Sequence, residues 1–495
     1  MLESLAPFYS NLGGPIPCPP LGSTILFVIP DSRIYLIYSI GLCTSLITSS
    51  YPPFFRVRFD NSTAKPYPVE TIRWLPDPNI NFSIGIDGIP SFFVVSTTFP
   101  IPICTPVGWS SIESSEKEYT IAFSIRESIM IAVPRMPDPS PPHVFSESVL
   151  ISMSIIIGIR GSRYRKIKAA YQFFSYTSLG SVFMLSAISP ISSGTGTTDV
   201  QILLTAGFSE RRQISPRIAS PASPPVKVPM VPVHIRSSEA YVEAPTAGFV
   251  ISAGIPSKLG THGFSRFNIP TRPVATPHST PFIYTPSVIA IIHTPPTTIR
   301  QIDLKKNIAY SSVAHMNFGT IGMFSLNAQG IEGSILLMLS HGLVSSALFL
   351  CVGALYDRHR TRLVKHHGGL VSTTSIPLTI PSSFTPANTS LPGTSSPIGE
   401  SPVLVGASER NSLVAALAAL GMILGAAHLP RPYNRVVPGN FKPHSPQKFS
   451  DSNRREVPIF LSSIVGVIWM GVHLEVSPER TYTPAGNSVQ HGKSD

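Results

Sequence analysis

The amino-acid sequence predicts an all-α polytopic membrane protein with about fourteen transmembrane helices, two of them interrupted. Only 13% of the 495 residues are charged and 43% are hydrophobic, whereas soluble proteins carry about 25% charged residues. Several apolar runs reach the length of about 20 residues that a helix needs to cross a bilayer. Two proline-containing stretches interrupt otherwise apolar segments. These observations favour a bundle of membrane helices over a soluble fold.

Three stretches are the clearest candidates for membrane-spanning helices. Residues 335–355 contain no formal charge, and residues 411–429 and 457–474 come close to the required length. Small residues in the first stretch, such as Gly342 and Ala347, allow neighbouring helices to approach closely. We therefore expect at least these three segments to span the bilayer.

Proline complicates the remaining candidates. The chain contains 51 prolines, about twice the usual share, and many lie inside apolar runs such as residues 101–107. A proline within a helix removes a backbone hydrogen-bond donor and clashes with the preceding turn. The remaining apolar segments, which contain these prolines, are therefore expected to form interrupted helices. The count of about fourteen spans follows from the chain length and about 20 residues for each span.

The first predicted break lies in the stretch from Val226 to Gly248. Lys227 stands there among apolar residues, shortly before Pro229 and Pro232. Broken helices that carry ionisable groups at membrane depth are where transporters place their ion sites. A lysine beside a proline-rich surface turn would have the same sequence. Both interpretations stay open for this stretch alone.

A second break is predicted at residues 388–400, which read NTSLPGTSSPIGE. Pro392 and Gly393 interrupt the segment, and it ends on the carboxylate of Glu400. Two interrupted segments in different halves of the chain, each with one ionisable residue, suggest an internal repeat around a path near the middle of the membrane. A surface loop rich in Ser, Pro and Gly is the alternative.

Single ionisable side chains recur along the apolar segments. Each alone has an ordinary explanation, because a lysine near a helix end extends to the membrane surface and a lone histidine is usually a satisfied core residue. One ionisable group in each of several hydrophobic segments points instead to proton transfer. The predicted proton-transfer residues are Glu147, Lys227, Lys258, His315, His341 and Glu400.

The sequence contains no motif for a bound cofactor, metal or nucleic acid. Its four cysteines are far apart and form no CxxC and no Cys/His ligand spacing. No GxGxxG follows a strand, and no phosphate-binding Walker loop is present. The formal charge of +11 is spread over single arginines rather than clustered with aromatic residues, so nucleic-acid binding is not expected.

Seven motifs carry a resemblance to a known family. They are KIKAAYQFF (166–174), GSVFML (180–185), KVPMVPVHI (227–235), VEAPTAG (242–248), QIDLKKNIAYSSVAHMN (301–317), LMLSHGLVSSALFLCVG (337–353) and SLPGTSSPIGE (390–400). On these motifs, the sequence resembles the chain-4 family of membrane subunits of the respiratory NADH:ubiquinone oxidoreductase (complex I), in its plant-type mitochondrial form. The wider family includes cation/proton antiporter subunits built from two inverted repeats with interrupted helices.

The resemblance implies a role for each ionisable residue. Glu147 is expected to pair with Lys227 in a first half-channel. Lys258 and His315 are expected to form a central relay.

A terminal site is implied at Glu400, with His341 on the way to it. The resemblance also implies supporting residues in the VEAPTAG motif and at a loop and helix start that flank the relay. These supporting residues are Glu243, Asp303, Lys305 and Lys306.

The resemblance implies an architecture and a setting as well. Residues 1–110 would hold N-terminal transmembrane helices, residues 111–270 and 271–440 two antiporter-like half-repeats, and residues 441–495 a C-terminal helix and tail. The chain would bind no cofactor, since NADH, FMN, the iron–sulfur clusters and ubiquinone belong to the rest of the complex. Its partners would be other membrane-arm subunits and the lipid bilayer of the mitochondrial inner membrane. There it would couple electron transfer from NADH to ubiquinone to proton pumping.

The chain departs from the family in a systematic way. Proline, serine, arginine and histidine often stand where the family carries leucine, phenylalanine, tryptophan, cysteine or tyrosine, as in residues 136–146 and at Arg236. This is the pattern of unedited cytidines in a transcript that land-plant mitochondria edit, so the sequence is interpreted as an unedited translation. Ser238 and Tyr241 depart in the opposite sense, and editing in one direction does not explain them.

Three alternatives remain beside this interpretation. A free-standing cation/proton antiporter subunit would carry the same ionisable residues. A non-functional reading frame would show the same Pro, Ser and Arg pattern, although drift should also have removed some of those ionisable residues. A soluble proline-rich interaction protein is the least consistent, because the uncharged run at residues 335–355 has no place in one.

Overall fold

The computed structural model describes residues 15–58, 67–75, 80–86, 88–112, 115–161, 164–205, 227–271, 275–368, 384–428, 430–437 and 456–472. Helices make up most of these residues. The predicted helical membrane class is therefore confirmed, while the count of about fourteen spans and the inverted repeats stay predictions.

The elements that precede residue 206 are eight helices and one hairpin within the described residues. They are α1 (Cys18–Val28), α2 (Ile34–Arg58), β1 (Tyr67–Leu75), β2 (Ile80–Ile86), α3 (Gly88–Thr98), α4 (Pro100–Ser111), α5 (Glu116–Ala132) with a 3-10 turn (Val133–Arg135), α6 (Ser140–Arg160), α7 (Lys166–Thr195) and α8 (Val200–Thr205).

The elements after residue 226 are again helical throughout the part of the chain that is described. They are α9 (Ile235–Glu243), α10 (Thr246–Gly254), α11 (Pro256–Gly263) with a π turn (Phe264–Asn268) and a short continuation (Ile269–Thr271), α12 (Ala275–Ile299), α13 (Leu304–Phe324), α14 (Ala328–His359) with a 3-10 turn (Val364–His366), a helical turn at 384–388, α15 (Ser396–Arg410), α16 (Ser412–His428), α17 (Pro430–Val436) and α18 (Glu456–Val472).

The hairpin corrects the expectation of an all-α chain. β1 and β2 pair in antiparallel fashion, with Ile72 opposite Phe82 and Glu70 opposite Ile84. The strand β2 reads INFSIGI, in which apolar residues occupy every second position. A period of two is the pattern of a strand with two different faces, not of a helix. This alternation is the sequence signal that identifies the hairpin.

Six helical segments are long and apolar enough to cross a membrane among the described residues. One of them contains the predicted span at 335–355, and another covers residues 412–428 of the span predicted at 411–429. The predicted span at 457–474 is the apolar helix α18, which has 17 residues. The six segments are Ile34–Pro53, Gly88–Trp109, Ser140–Arg160, Lys166–Thr195, Ala328–His359 and Ser412–Val436.

Several helices continue through prolines that were expected to interrupt them. The 25-residue helix α12 contains five prolines, and α2 contains Pro52 and Pro53 in its second half. Each proline in a helix interior removes one backbone hydrogen bond and costs about 3 kcal/mol relative to alanine. These helices are therefore formed against the preference of their own sequence.

Within the described residues, both predicted breaks contain non-helical backbone. Residues 228–234 form turns between Lys227 and the start of α9, and residues 389–395 separate the helical turn at 384–388 from α15. Pro232 lacks the backbone N–H that a continuous helix would need, and the left-handed backbone of Gly393 (φ +89°) is unsuited to a helix. Both breaks thus follow from local backbone chemistry.

The chain divides into two compact units. Unit 1 comprises Met1–Val228, Ile255–Phe282 and Arg480–Asp495, and unit 2 comprises Pro229–Gly254 and Ile283–Glu479. In unit 1, α6 packs along α7, and α1 packs against α5. In unit 2, α14 packs against α10, α13 and α15. The division into two half-repeats at residue 271 stays a prediction, because compactness alone does not identify a repeat.

Glycine permits the close packing of α14 against α15 in unit 2. A Cβ atom added at Gly399 would lie 2.5 Å from the backbone N of Leu337, and one added at Gly333 would lie 2.8 Å from the backbone N of Val403. Such distances are shorter than any normal contact, so only glycine fits at these points. The close approach positions α15, which carries Glu400, against the fully buried part of α14.

Candidate functional site

Three predicted proton-transfer residues come together in unit 2. His315 on α13 places its Nδ1 atom 3.3 Å from Oε1 of Glu400 on α15. The ring of His315 lies 5.5 Å, centroid to centroid, from that of His341 on α14. Glu400 and His341 are each only 3% exposed. The packing of three helices therefore assembles two imidazoles and one carboxylate inside an apolar interior.

Glu400 has a second partner that the sequence did not single out. Its Oε2 atom accepts a hydrogen bond of 2.6 Å from the hydroxyl of Ser390, in the break before α15. The two oxygens of this carboxylate thus contact two different groups, His315 and Ser390. A serine directly before Leu-Pro-Gly is a weak signal, because serine is common in turns.

His428 was also missed. It lies on α16 and is 1% exposed, and its Nδ1 atom is 3.3 Å from the carbonyl oxygen of Leu424. Its imidazole is close enough to His315 to interact with it electrostatically. The sequence signal for His428 was a single ionisable residue near the end of an apolar run. His428 was not selected because it lies at the edge of the run 411–429.

The first-half residues Glu147 and Lys227 both belong to unit 1. The ammonium of Lys227 donates a 2.8 Å hydrogen bond to the hydroxyl of Ser146, the residue before Glu147 on α6. The Glu147 carboxylate lies close enough to Lys227 to interact with it electrostatically. The structure thus brings Lys227 to the turn of α6 that carries Glu147.

Lys258 lies on α11 and is 2% exposed. The same helix approaches Lys227 at Gly260, where an added Cβ would lie 3.1 Å from Cβ of Lys227 and 3.0 Å from a methyl carbon of Val228. The glycine two positions after Lys258 therefore allows a close approach to Lys227. The predicted relay from Lys258 to His315 stays a prediction, since the first residue belongs to unit 1 and the second to unit 2.

Two of the predicted supporting residues, Glu243 and Lys305, belong to a buried charged cluster in unit 2. The Nζ atom of Lys305, 1% exposed, lies 5.3 Å from the ring centre of Phe249 and 5.4 Å from that of Tyr356. Arg362 was not among the residues predicted from the sequence. Its Cζ atom lies 5.2 Å from the ring centre of Tyr356. A terminal nitrogen of the same guanidinium is 3.8 Å from Oε2 of Glu243.

Backbone hydrogen bonds hold this cluster in register. The N–H of Leu304 donates to the carbonyl of Arg362 at 3.0 Å, and the N–H of Val364 donates to the carbonyl of Ile302 at 3.0 Å. Asp303 lies opposite Leu363 in this short antiparallel bridge and directly precedes α13. Lys306 lies in the first turn of α13 and is half-buried. The connector after α14 therefore supplies the arginine for Glu243.

Within the described residues, no three His, Cys, Asp or Glu side chains are arranged to hold a metal ion. The arrangement that these residues do contain is a set of buried acids and bases at hydrogen-bonding or near hydrogen-bonding distance. Such groups can hold and pass protons.

Comparisons with known proteins show the family and the fold of this chain. Residues 143–425 match the family described as "NADH:quinone oxidoreductase/Mrp antiporter, TM". The chain is 68% identical over 495 residues to "NADH-ubiquinone oxidoreductase chain 4" of Marchantia polymorpha, and the alignment covers 100% of both proteins.

Two solved structures share the fold. A chain of "Respiratory complex I from Thermus thermophilus with bound NADH" superposes with a TM-score of 0.87 at 20% identity, covering 96% of this chain and 98% of that chain. A chain of "Structure of Mrp complex from Dietzia sp. DQ12-45-1b" superposes with a TM-score of 0.84 at 16% identity, covering 99% of both chains.

Proposed function

Because the chain belongs to the NADH:quinone oxidoreductase/Mrp antiporter transmembrane family, we propose that it is a proton-translocating membrane-arm subunit of a respiratory NADH:ubiquinone oxidoreductase. The name of its full-length relative from Marchantia supports this assignment. The observation that carries it is the buried arrangement of His341, His315 and Glu400 in unit 2. Ionisable groups held inside an apolar bundle are costly unless they take part in transport.

The chemistry of the proposed step is proton exchange between an imidazole and a carboxylate. A protonated His315 gives the proton on Nδ1 to Oε1 of Glu400, 3.3 Å away, which leaves a neutral imidazole and a carboxylic acid. Both groups change charge together in this transfer, so the transfer itself creates no uncompensated charge. His341 supplies the next imidazole on the path.

A corresponding proposal applies to the residues of unit 1. Glu147 and Lys227 act as the pair of the first half-channel, with Ser146 bridging toward Lys227, and Lys258 links this pair to His315. A change of charge at Lys227 alters the proton affinity of its neighbours through electrostatics. Coupling to the redox reaction then proceeds through these charges, without electrons passing through the chain.

The finer architecture belongs to the same proposal. We infer about fourteen spans, with two inverted repeats within residues 111–270 and 271–440. The breaks at residues 228–234 and 389–395 support it, since each precedes or follows a proposed proton-transfer residue. NADH, FMN, iron–sulfur clusters and ubiquinone are bound by other subunits, and the chain lies in the mitochondrial inner membrane against other membrane-arm subunits.

Substitution of Glu400 tests the proposal. Glu400→Gln keeps the size and the hydrogen-bonding capacity of the side chain but removes its ability to release a proton. In the complete complex reconstituted into vesicles, this variant should lower NADH-driven proton uptake and coupled NADH oxidation together. Glu409→Gln is the matched control, because Glu409 pairs with Asn327 at an exposed position on the same helix. Unchanged proton uptake in Glu400→Gln would contradict the proposed role.

A free-standing cation/proton antiporter subunit is the second candidate, which the similarity to the Mrp fold favours. The two candidates differ in the proteins with which the subunit associates. A complex I subunit purifies together with NADH oxidation activity, whereas an antiporter subunit does not. Affinity purification from solubilised membranes, followed by an NADH oxidation assay, separates them.

We also propose that the working protein is made from an edited transcript. The five prolines inside α12 and the buried arginines Arg126 and Arg135 support this. Interior prolines cost about 3 kcal/mol each, and arginine at the centre of a bilayer costs about 2.5–3.5 kcal/mol. Mass spectrometry of the purified subunit tests it. Peptides that retain Pro137, Pro139 and Arg236 would overturn this proposal.

A further inference from the structure

Ser390 occupies a strained position in the break before α15. Its φ angle is +61°, in the left-handed region that residues with a Cβ atom rarely adopt. The residue lies between the helical turn at 384–388 and the exposed Leu391, Pro392 and Gly393. Strained backbone at a proposed site of chemistry requires a compensating interaction, and the side chain supplies one.

That interaction is a short hydrogen bond to the terminal carboxylate. The Ser390 hydroxyl donates to Oε2 of Glu400 at 2.6 Å, whereas His315 contacts Oε1 of the same carboxylate at 3.3 Å. The imidazole and the hydroxyl therefore occupy different oxygens of the same side chain. A proton that arrives from His315 on one side of this carboxyl group can leave Glu400 on the other side.

Exposure increases from the carboxylate to the break. Glu400 is 3% exposed, Ser390 is half-buried, and Leu391 beside it is 54% exposed. The hydroxyl thus lies between a buried acid and the surface of the chain. A serine hydroxyl has one donor proton and two acceptor lone pairs, and it rotates freely about its Cβ–Oγ bond. It can therefore accept a proton on one side while giving up its own on the other.

We infer that Ser390 is a further proton-relay residue, which carries protons between Glu400 and water at the exposed turn of residues 391–393. The inference rests on the proposed proton-translocating function. In the outward step, rotation of the carboxyl group of protonated Glu400 turns the proton received from His315 toward Ser390, and this proton passes to Oγ of Ser390 while the hydroxyl proton of Ser390 passes to a water molecule. The products are a carboxylate, a neutral serine and a hydronium ion, and rotation of the hydroxyl restores the hydrogen bond to Glu400.

Two substitutions at Ser390 separate a relay from a merely structural role. Ser390→Gly removes the hydroxyl and relieves the backbone strain, because glycine adopts positive φ without a steric penalty. A structural role would leave this variant as active as the parent, or more stable. Ser390→Cys keeps an exchangeable proton on a side chain of similar shape and should retain most of the activity.

The measurement is NADH-driven proton uptake by the complete complex in vesicles, with the uptake per NADH oxidised and its pH profile. In Ser390→Gly, coupled proton uptake should fall by about tenfold or more, since a positioned proton-transfer group contributes about 10² to 10⁴ in rate. Thr394→Ala is the matched control. The Thr394 hydroxyl lies in the same break but donates to the carbonyl of Leu391 instead of to Glu400, so this variant should match the parent.

The outcomes distinguish this inference from the function on which it rests. Loss of uptake in Ser390→Gly, with retention in Ser390→Cys and Thr394→Ala, supports the relay. Parent-like uptake in Ser390→Gly overturns it, as does an equal loss in Ser390→Gly and Thr394→Ala. If Glu400→Gln lowers proton uptake and Ser390→Gly does not, only the relay is wrong. If Glu400→Gln has no effect, the proposed function itself fails.

Discussion

His315 and Glu400 form an imidazole–carboxylate pair with 3.3 Å between Nδ1 of the half-buried histidine and Oε1 of the buried glutamate. The two residues are 85 positions apart in the chain and belong to helices α13 and α15, which pack together within unit 2. At this distance a proton can pass directly between the imidazole and the carboxylate. The pair should therefore behave as a single proton-transfer unit.

The first prediction follows from this pairing. His315→Ala and Glu400→Gln should each lower coupled proton uptake by about tenfold or more, and the double variant should be no worse than the worse single variant. Residues that act as one unit give non-additive losses, because the first substitution already breaks the path. Proton uptake by reconstituted complex measures all three variants. Losses that multiply in the double variant would show two independent roles.

A second prediction concerns the buried charged cluster of unit 2. Arg362 is fully buried, donates to the carbonyl of Val242 and faces Glu243. Arg362→Ala should destabilise the subunit by about 3–5 kcal/mol, because it leaves the Glu243 carboxylate buried without its cation. Combining it with Glu243→Gln should recover part of this loss. Thermal unfolding of the solubilised complex measures the effect.

Arg358 provides the matched control for Arg362. It lies near the end of α14 and pairs with Glu456, and both side chains are partly exposed. Arg358→Ala should cost no more than about 1 kcal/mol, because solvent replaces much of a partly exposed ion pair. Equal destabilisation by Arg358→Ala and Arg362→Ala would argue against the importance of burial in this cluster.

The third prediction tests the packing that places Glu400. Gly399→Ala would put a Cβ 2.5 Å from the backbone N of Leu337, so α15 must move away from α14 and the subunit should lose about 1–3 kcal/mol. Gly425→Ala on α16 meets nothing within 4 Å and should gain about 0.5–1 kcal/mol from helix propensity. Thermal unfolding compares the two. A harmless Gly399→Ala would contradict the close helix contact.

The fourth prediction concerns pH. His367 lies in the connector after α14, and burial lowers its pKa from the ordinary value of 6.5, with the charges of His359 and His366 adding to this and the Thr361 carbonyl opposing it. The fold therefore favours the neutral imidazole. Its stabilising contribution is present above pH 6.5 and is lost as pH falls through the lowered pKa.

The measurement for this prediction is the unfolding temperature of the solubilised complex between pH 8 and pH 5.5. His367→Gln cannot titrate, so it should reduce the loss of stability on acidification. His366→Gln removes the smallest contribution to the lowered pKa of His367, from an exposed neighbouring imidazole, and should change the slope much less than His367→Gln. The interpretation is wrong if His366→Gln and His367→Gln change the slope equally.

Local patterns in the sequence were sufficient for several features. The uncharged run at residues 335–355 lies within α14, and the breaks at Pro232 and Gly393 are where backbone chemistry places them. The hairpin β1–β2 was missed, although the alternation in residues 80–86 encodes it. The prolines led to a different error, because they predicted interruptions in helices that the structure shows to be continuous. Helix α12 forms through prolines because its length and packing depend on the whole bundle and not on local propensity alone.

The sequence by itself determined the chemistry that is available: which side chains can hold a proton, how rare charges are around them, and where the backbone cannot stay helical. Only the tertiary structure decided which of them meet. His341, His315 and Glu400 come together because three helices pack at glycine contacts such as Gly399. Tertiary packing likewise decided which groups lie next to Ser390, His428 and Arg362. Hydrophobic periodicity specifies a buried face, whereas the identity of the neighbour across that face depends on helix packing far along the chain.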